Sequence, residues 1–278
     1  MNTGIKRYHL LLEIILIFFA LITFYPVFIM IADSFKTREE MAYNPFGFPM
    51  FSGFTLDNII NAISKMKFYE PLLNSAIITG LSTILIIVVA SMAAYPIARK
   101  KNALYGFIYS FFLSGIIVPY QLAMIPLYKE VRVLGLMNKE LGLVLIYGGI
   151  FLSFPIFFYS GFIKNVPLEL EEAAFIDGCG RYRIFWRIVF PLIKPATAAV
   201  IVLNLLGIWN EFTLSFLFLQ KTSKLTITVA LYSFRGQYHV HWPHMFAGML
   251  VAVAPIVIMF ISAQKFFISG ITEGALKG

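Results

Sequence analysis

Six long apolar runs constrain this chain more than any other feature. They cover residues 10–32, 72–98, 103–128, 141–163, 196–219 and 245–267. An α-helix rises about 1.5 Å per residue and the hydrocarbon of a bilayer is about 30 Å thick, so about 20 apolar residues suffice to cross it. Each run is long enough. Of the 278 residues, 59% are hydrophobic and only 13% charged, about half the charge of an ordinary soluble domain. That balance excludes a disordered chain, which would be apolar-poor, and argues against a water-soluble enzyme. The expected fold is all-α and integral to a membrane, with six transmembrane helices in one domain (residues 1–278).

The net charge of +8 could suggest nucleic-acid binding. The basic residues fall between apolar runs, however, and lysines and arginines on the inner side of a membrane account for the excess more simply. Lys6 and Arg7 precede the first run, as in a signal peptide. That run is longer than a signal's apolar core and no small-x-small cleavage site follows, so an uncleaved first span is expected. Arg99-Lys100-Lys101 abuts the second run directly. Weighted above the dispersed charges of loop 33–71, this cluster places both termini inside. Within that loop Leu56, Ile59, Ile60, Ile63 and Met66 recur at helical spacing. They predict an amphipathic helix, lying on the outer membrane face or packed against the spans. A single cysteine, Cys179, excludes an internal disulfide and any multi-cysteine metal site.

The loop at 164–195 differs from the rest. Pro167 suits a first helical turn, and Glu169, Glu171 and Glu172 complement the positive end of the helix dipole. Gly178 is placed as the C-terminal stop. A second helix is expected at about 182–190, ending at Pro191, with an apolar stripe on the first from Leu170, Ala173, Ala174 and Ile176. Glu172-Ala173-Ala174 is followed after three residues by Gly178, after nine more by Ile188, and then by Pro191. This pattern resembles the EAA signature of permease subunits in type I ABC importers, with Phe190 where leucine is usual. The resemblance extends along the chain to the carbohydrate group, which includes the smaller membrane subunit of the maltose transporter. It rests on Asn74-Ser75, Ala93-Ala94-Tyr95 to Arg99, Ile125-Pro126-Leu127-Tyr128, Leu134-Gly135-Leu136-Met137-Asn138 and Trp209-Asn210-Glu211-Phe212.

The resemblance implies a type I ABC importer permease fold in a bacterial or archaeal inner membrane, with cytoplasmic termini. It implies a second permease subunit, an ATPase dimer that binds the ATP and magnesium, an extracytoplasmic solute-binding protein, and a sugar or oligosaccharide as cargo. The loop would be the coupling helix that docks on the ATPase through Glu171, Glu172, Ala173, Ala174, Asp177 and Gly178. The tail 268–278 would reach the ATPase interface through Gly270, Thr272, Gly274 and Lys277.

Polar residues inside apolar runs are costly and default to functional hypotheses. Glu211, with Trp209 and Asn210, could line a translocation path, pair with a partner subunit, or make a structural bond between spans. Gln121, between Pro119 and Pro126, is a second path candidate. These prolines, with Pro155 and Pro255, are expected to break helices. Glu13 lies near the inner end of the first span and can snorkel. His239, His241 and His244 fall in the expected outer loop between spans five and six, where Arg235 and Tyr238 could meet a binding protein; their spacing is not a standard zinc pattern. The sequence has no G-x-x-x-x-G-K-[ST] phosphate loop and no H-E-x-x-H, so no catalytic, cofactor or metal site is expected and energy must arrive from another polypeptide. Other readings are an importer of a non-sugar solute, an ion-driven secondary transporter, which should show inverted repeats and paired intramembrane acids, and a scaffold subunit.

Overall fold

The computed structural model describes residues 3–50, 53–234 and 241–275. Among them there is no strand, only an isolated antiparallel bridge between Lys36 and Phe54. The helices are, in order, α1 (Thr3–Ser34), α2 (Arg38–Tyr43), α3 (Asp57–Lys65), α4 (Tyr69–Arg99), α5 (Ala103–Ile117), α6 (Met124–Val133), α7 (Glu140–Ile150), α8 (Ser153–Lys164), α9 (Leu168–Ile176), α10 (Arg181–Ile184), α11 (Phe190–Leu192), α12 (Lys194–Trp209), α13 (Thr213–Phe218), α14 (Ile227–Leu231) and α15 (Trp242–Ala275). Three stretches are single helices long and apolar enough to cross a bilayer: His9–Ser34, Tyr69–Arg99 and Trp242–Ser262. Three helix pairs pass the same test together but are sharply bent: α5 with residues 120–133 at 94°, α7 with α8 at 51°, and 181–192 with α12 at 77°; counting each pair as one span brings the number to six.

Proline chemistry explains the breaks. Pro119 has no N–H to donate and forces Val118 into extended backbone (φ −76°, ψ 118°), so the expected continuous helix over 103–128 turns sharply there. Pro155 stands in the first turn of α8, where its missing N–H costs little, and the chain breaks just before it. Pro126 likewise lies in the first turn of α6. Pro255, expected to break its helix, does not: α15 runs through it. The expected run 196–219 is also divided. The helix α12 stops at Trp209, residues 210–212 form a break, and α13 follows.

The chain separates into two compact units. The larger, residues 69–229 and 256–278, is organised around α4, which packs against α5, α7, α8 and α12. Its core joins Ala90, Ala94 and Ile97 of α4 to Ile156, Tyr159 and Ile163 of α8 and to Val200 of α12. Segment 219–228 of this unit has little helix, and side chains hold it. The Asn138 side-chain oxygen accepts from the amides of Gln220 (2.7 Å) and Lys221 (2.9 Å). Asn74 donates to the carbonyls of Ser223 and Leu225, both at 3.0 Å, and the Ser75 hydroxyl accepts from the amide of Ile227 at 2.8 Å. Three residues that carried the family resemblance thus satisfy loop backbone.

The smaller unit comprises residues 1–68 and 230–255. None of the apolar window of α1 is buried within the chain. After α1, a polar clip folds the chain back. The Lys36 ammonium, fully buried, donates to Asp33 Oδ1 at 2.7 Å and to the carbonyl of Asn44 at 2.6 Å. Asn58 on α3 donates to the carbonyls of Ser34 (3.1 Å) and Lys36 (2.7 Å). The amphipathic helix exists as α3, but its phase differs from the expectation: Asn58, Ala62 and Met66 are buried while Leu56 and Ile60 are exposed. The Asn58 bonds turn that residue toward the clip, and Leu56 and Ile60 face away from it. A Cβ on Gly248 would lie 3.3 Å from the Met66 sulfur and 2.8 Å from the Phe234 ring, so this glycine lets both approach α15.

Breaking a buried ion pair from one side leaves an uncompensated charge at a cost of about 3–5 kcal/mol. Lys36→Met should therefore lower the melting temperature of the detergent-purified protein markedly, and Asp33→Leu/Lys36→Met should recover most of the loss. Differential scanning fluorimetry checks both.

Candidate functional site

Segment 164–195 folds around a short helix closed at its C-terminal end. Helix α9 starts after Pro167, with Glu169 and Glu171 in its first turn. It ends in a Schellman motif: Gly178 adopts φ +83°, its amide donates to the carbonyl of Phe175 (3.0 Å), and the amide of Cys179 donates to that of Ala174 (2.9 Å). A side chain with a Cβ is strained at that φ, so the expected glycine stop is required by geometry. The expected helix at 182–190 is interrupted. Residues 185–189 form a π-turn, Phe185 and Val189 are buried, and helical structure continues past Pro191 to Leu192. Inserted turns of this kind are frequent at functional sites.

The six residues expected to dock a partner divide into two sets. Glu172, Ala173, Asp177 and Gly178 are exposed, together with Ile176 at 83% and Phe175 at 66%. Glu171 and Ala174, three residues apart and thus on one face, point into the protein, with Glu171 only 7% exposed. Their side chains are not available for docking, which corrects the expectation for both. The apolar stripe inferred from the sequence is split accordingly: Ala174 faces in, while Leu170, Ala173 and Ile176 face out.

Glu171 is held by two residues of α4. The Arg99 guanidinium contacts Glu171 Oε1 through Nε (2.8 Å) and Nη2 (2.6 Å), and Nη2 also donates to the carbonyl of Val166 (2.8 Å). The Tyr95 hydroxyl donates to Glu171 Oε2 at 2.5 Å. In the sequence Tyr95 and Arg99 stood out as the end of a span and as part of the family resemblance, without a partner on α9. Their i, i+4 spacing, which sets both polar ends on one face of α4, was the available signal. Beside this cluster a cavity of about 890 Å³ opens between α4 and α9, with Met92, Pro96, Leu168 and Phe185 among its walls.

The path candidates are placed differently. Glu211 lies in the break between α12 and α13, half-buried. Its carboxylate accepts from the amide of Leu214 at 2.9 and 3.0 Å, from the amide of Ser215 at 3.2 Å, and from the hydroxyls of Tyr147 (2.8 Å) and Tyr120 (3.4 Å). Both oxygens are occupied. Of the alternatives left open by the sequence, the geometry favours the structural one: Glu211 satisfies the first amides of α13 and ties them to two tyrosines. Trp209 is buried. Gln121, on the short turn after Pro119, and Asn210 are exposed.

Of the remaining expectations, His244 lies in the first turn of α15 rather than in a loop, its ring 5.7 Å from that of His241. Arg235, Tyr238 and His239 lie outside the described residues, and among the described residues no cluster could hold a metal ion. The backbone at Gly270, Thr272 and Gly274 continues α15 as helix. The Thr272 side chain and Lys277 lie outside the described residues.

Comparison with known proteins settles the family. The profile of the binding-protein-dependent transport system inner membrane component matches residues 86–272. The chain belongs to this family. The permease is 35% identical over 252 residues to AmyC of Thermoanaerobacterium thermosulfurigenes, a probable starch degradation products transport permease, covering 91% of each chain. It is 35% identical over 256 residues to the melibiose/raffinose/stachyose import permease MelC of Bacillus subtilis, covering 92% of each. Its fold matches a chain of a bacterial ABC transporter that imports alginate, with a TM-score of 0.82, 20% identity, and coverage of 96% of this permease and 99% of that chain. The permease is thus a multi-pass inner-membrane component of a binding-protein-dependent transport system.

Losing the Glu211 carboxylate exposes two backbone amides and leaves the buried Tyr147 without its acidic acceptor, at about 1–3 kcal/mol per unsatisfied group. Glu211→Ala should lower the unfolding temperature in detergent by more than Glu211→Gln, which keeps one acceptor oxygen. Equal melting of both variants and wild type would show that the break does not depend on Glu211.

Proposed function

We propose that this chain is the permease subunit of an ATP-driven importer of a sugar or oligosaccharide, forming half of a translocation path with a second permease subunit. The exposed face of α9, Glu172, Ala173, Phe175, Ile176, Asp177 and Gly178, carries the reading. It is a short helix closed at its C-terminal end, whose small residue at 173 lets a partner backbone approach closely, flanked by the exposed apolar side chains of Phe175 and Ile176. An ATPase subunit is the partner that fits, because this sequence has no phosphate-binding loop of its own. In this reading α9 and both termini face the cytoplasm, ATP and magnesium are held by the ATPase dimer, and a loaded binding protein docks on the opposite side. Closure of the ATPases displaces α9 and shifts the spans between inward- and outward-open states, each ligand biasing that equilibrium by its differential affinity.

The sugar assignment is supported by relatives named for starch degradation products and for melibiose, raffinose and stachyose. Gln121 and Asn210, exposed polar residues on apolar segments, are the path candidates, and hydroxyl-rich cargo suits such side chains. The lipid-facing apolar surface of α1 leaves room for packing on the second permease.

Two measurements test this. In membranes expressing the whole transporter, Ala173→Arg should insert normally but fail to co-purify with the tagged ATPase; retention equal to wild type contradicts docking through this face. Cells with the permease gene deleted should lose uptake of radiolabelled raffinose or maltotriose and regain it with the wild-type gene. Uptake of both unchanged by deletion contradicts the sugar assignment.

A further inference from the structure

Of everything that touches α9, the Arg99–Glu171–Tyr95 cluster is the most strongly built, and docking does not explain it. It faces away from the exposed side and holds a carboxylate that is 7% exposed against an arginine side chain 16% exposed. We propose that this cluster is the joint through which α9 moves α4, with Arg99 and Tyr95 as its positioning residues. The proposal rests on the coupling role assigned to α9 above and names the span that receives the motion.

The argument is mechanical. Along the chain, α9 is attached through short bent segments only: 165–167 on one side, and on the other a left-handed Gly178, a π-turn and a 77° bend before α12. Such connections pull, but they do not fix an orientation. Arg99 adds a lateral attachment at two points, Glu171 within the first turn of α9 and the Val166 carbonyl just before it. Apolar contacts let helices slide on each other. Charge-assisted hydrogen bonds from a planar guanidinium are directional, so displacement and rotation of α9 pass together into α4. Helix α4 is the one around which α5, α7, α8 and α12 pack. Motion delivered to its end therefore reaches the centre of the unit without first passing through the loops.

The test uses the complete transporter, with permeases, ATPase and binding protein in nanodiscs. Spin labels are placed at exposed positions, Ile84→Cys on α4 and Glu169→Cys in the first turn of α9 outside the docking face, in a Cys179→Ser background, and distances are compared between nucleotide-free and ADP–vanadate-trapped complexes. With the joint intact the distribution stays narrow and at one distance in both states. Arg99→Gln should broaden and shift it on trapping while the ATPase stays bound, Tyr95→Phe should do so to a smaller degree, and the swap Arg99→Glu/Glu171→Arg should restore the narrow distribution. On raffinose or maltotriose, whichever wild type transports, sugar moved per ATP should fall about fivefold or more in Arg99→Gln, a coupling loss typical of linked sites. A distance that changes on trapping in the wild type, or an Arg99→Gln distribution like wild type, overturns the joint. So does loss of the ATPase from Arg99→Gln, since the pair would then only hold up the docking surface. Ala173→Arg separates the two readings: if it keeps the ATPase, the docking assignment itself fails.

Discussion

A backbone amide or carbonyl in hydrocarbon has no water to turn to, and each one left without a partner costs several kcal/mol. The larger unit answers this constraint with polar side chains at two places where helix gives way. At 210–212, Glu211 takes the first amides of α13 and fixes them to Tyr147. In segment 219–228 the work is divided among Asn138, Asn74 and Ser75. Broken spans are what a transporter needs, because irregular backbone beside a cavity offers polar groups to cargo and can rearrange. Fixed polar side chains at these two places keep that irregularity to one arrangement.

The same logic applied to α9 yields a lever instead of a break. Its C-terminal carbonyls are closed by the Schellman motif at Gly178, and its inner face is tied by Glu171 to Arg99. What remains outward is an apolar and acidic surface with small Ala173 within it. A buried ion pair is weak evidence for stability, since desolvation offsets most of the attraction. Its value here is geometric: it selects one orientation of α9 on α4.

Helix content and the positions of most apolar segments were legible from hydropathy, and the EAA spacing led directly to α9 and to the glycine at its end. The phase of α9 was less accessible. Glu171 and Glu172 are adjacent acids, and only the positions of Tyr95 and Arg99, over seventy residues earlier in the chain, decide which one turns inward. For the same reason α3 shows Asn58 rather than Ile60 to its unit: an amphipathic pattern counts apolar side chains and cannot see the carbonyls of Ser34 and Lys36 waiting for a donor. Proline read alone was ambiguous. Pro119 and Pro155 mark breaks, whereas α15 runs through Pro255. Glu211 was legible as important from its cost in an apolar run, but its partners come from α7 and from the turn after Pro119, a tertiary fact.

The central claim is that the outward face of α9 meets an ATPase on the cytoplasmic side, and cysteine chemistry at Ala173 tests it most directly. In a Cys179→Ser background, Ala173→Cys within the assembled transporter should cross-link to an engineered cysteine on the ATPase surface. In right-side-out vesicles it should resist a membrane-impermeant maleimide. Labelling of that cysteine from outside the vesicles, with no cross-linked product in the complex, would contradict the account.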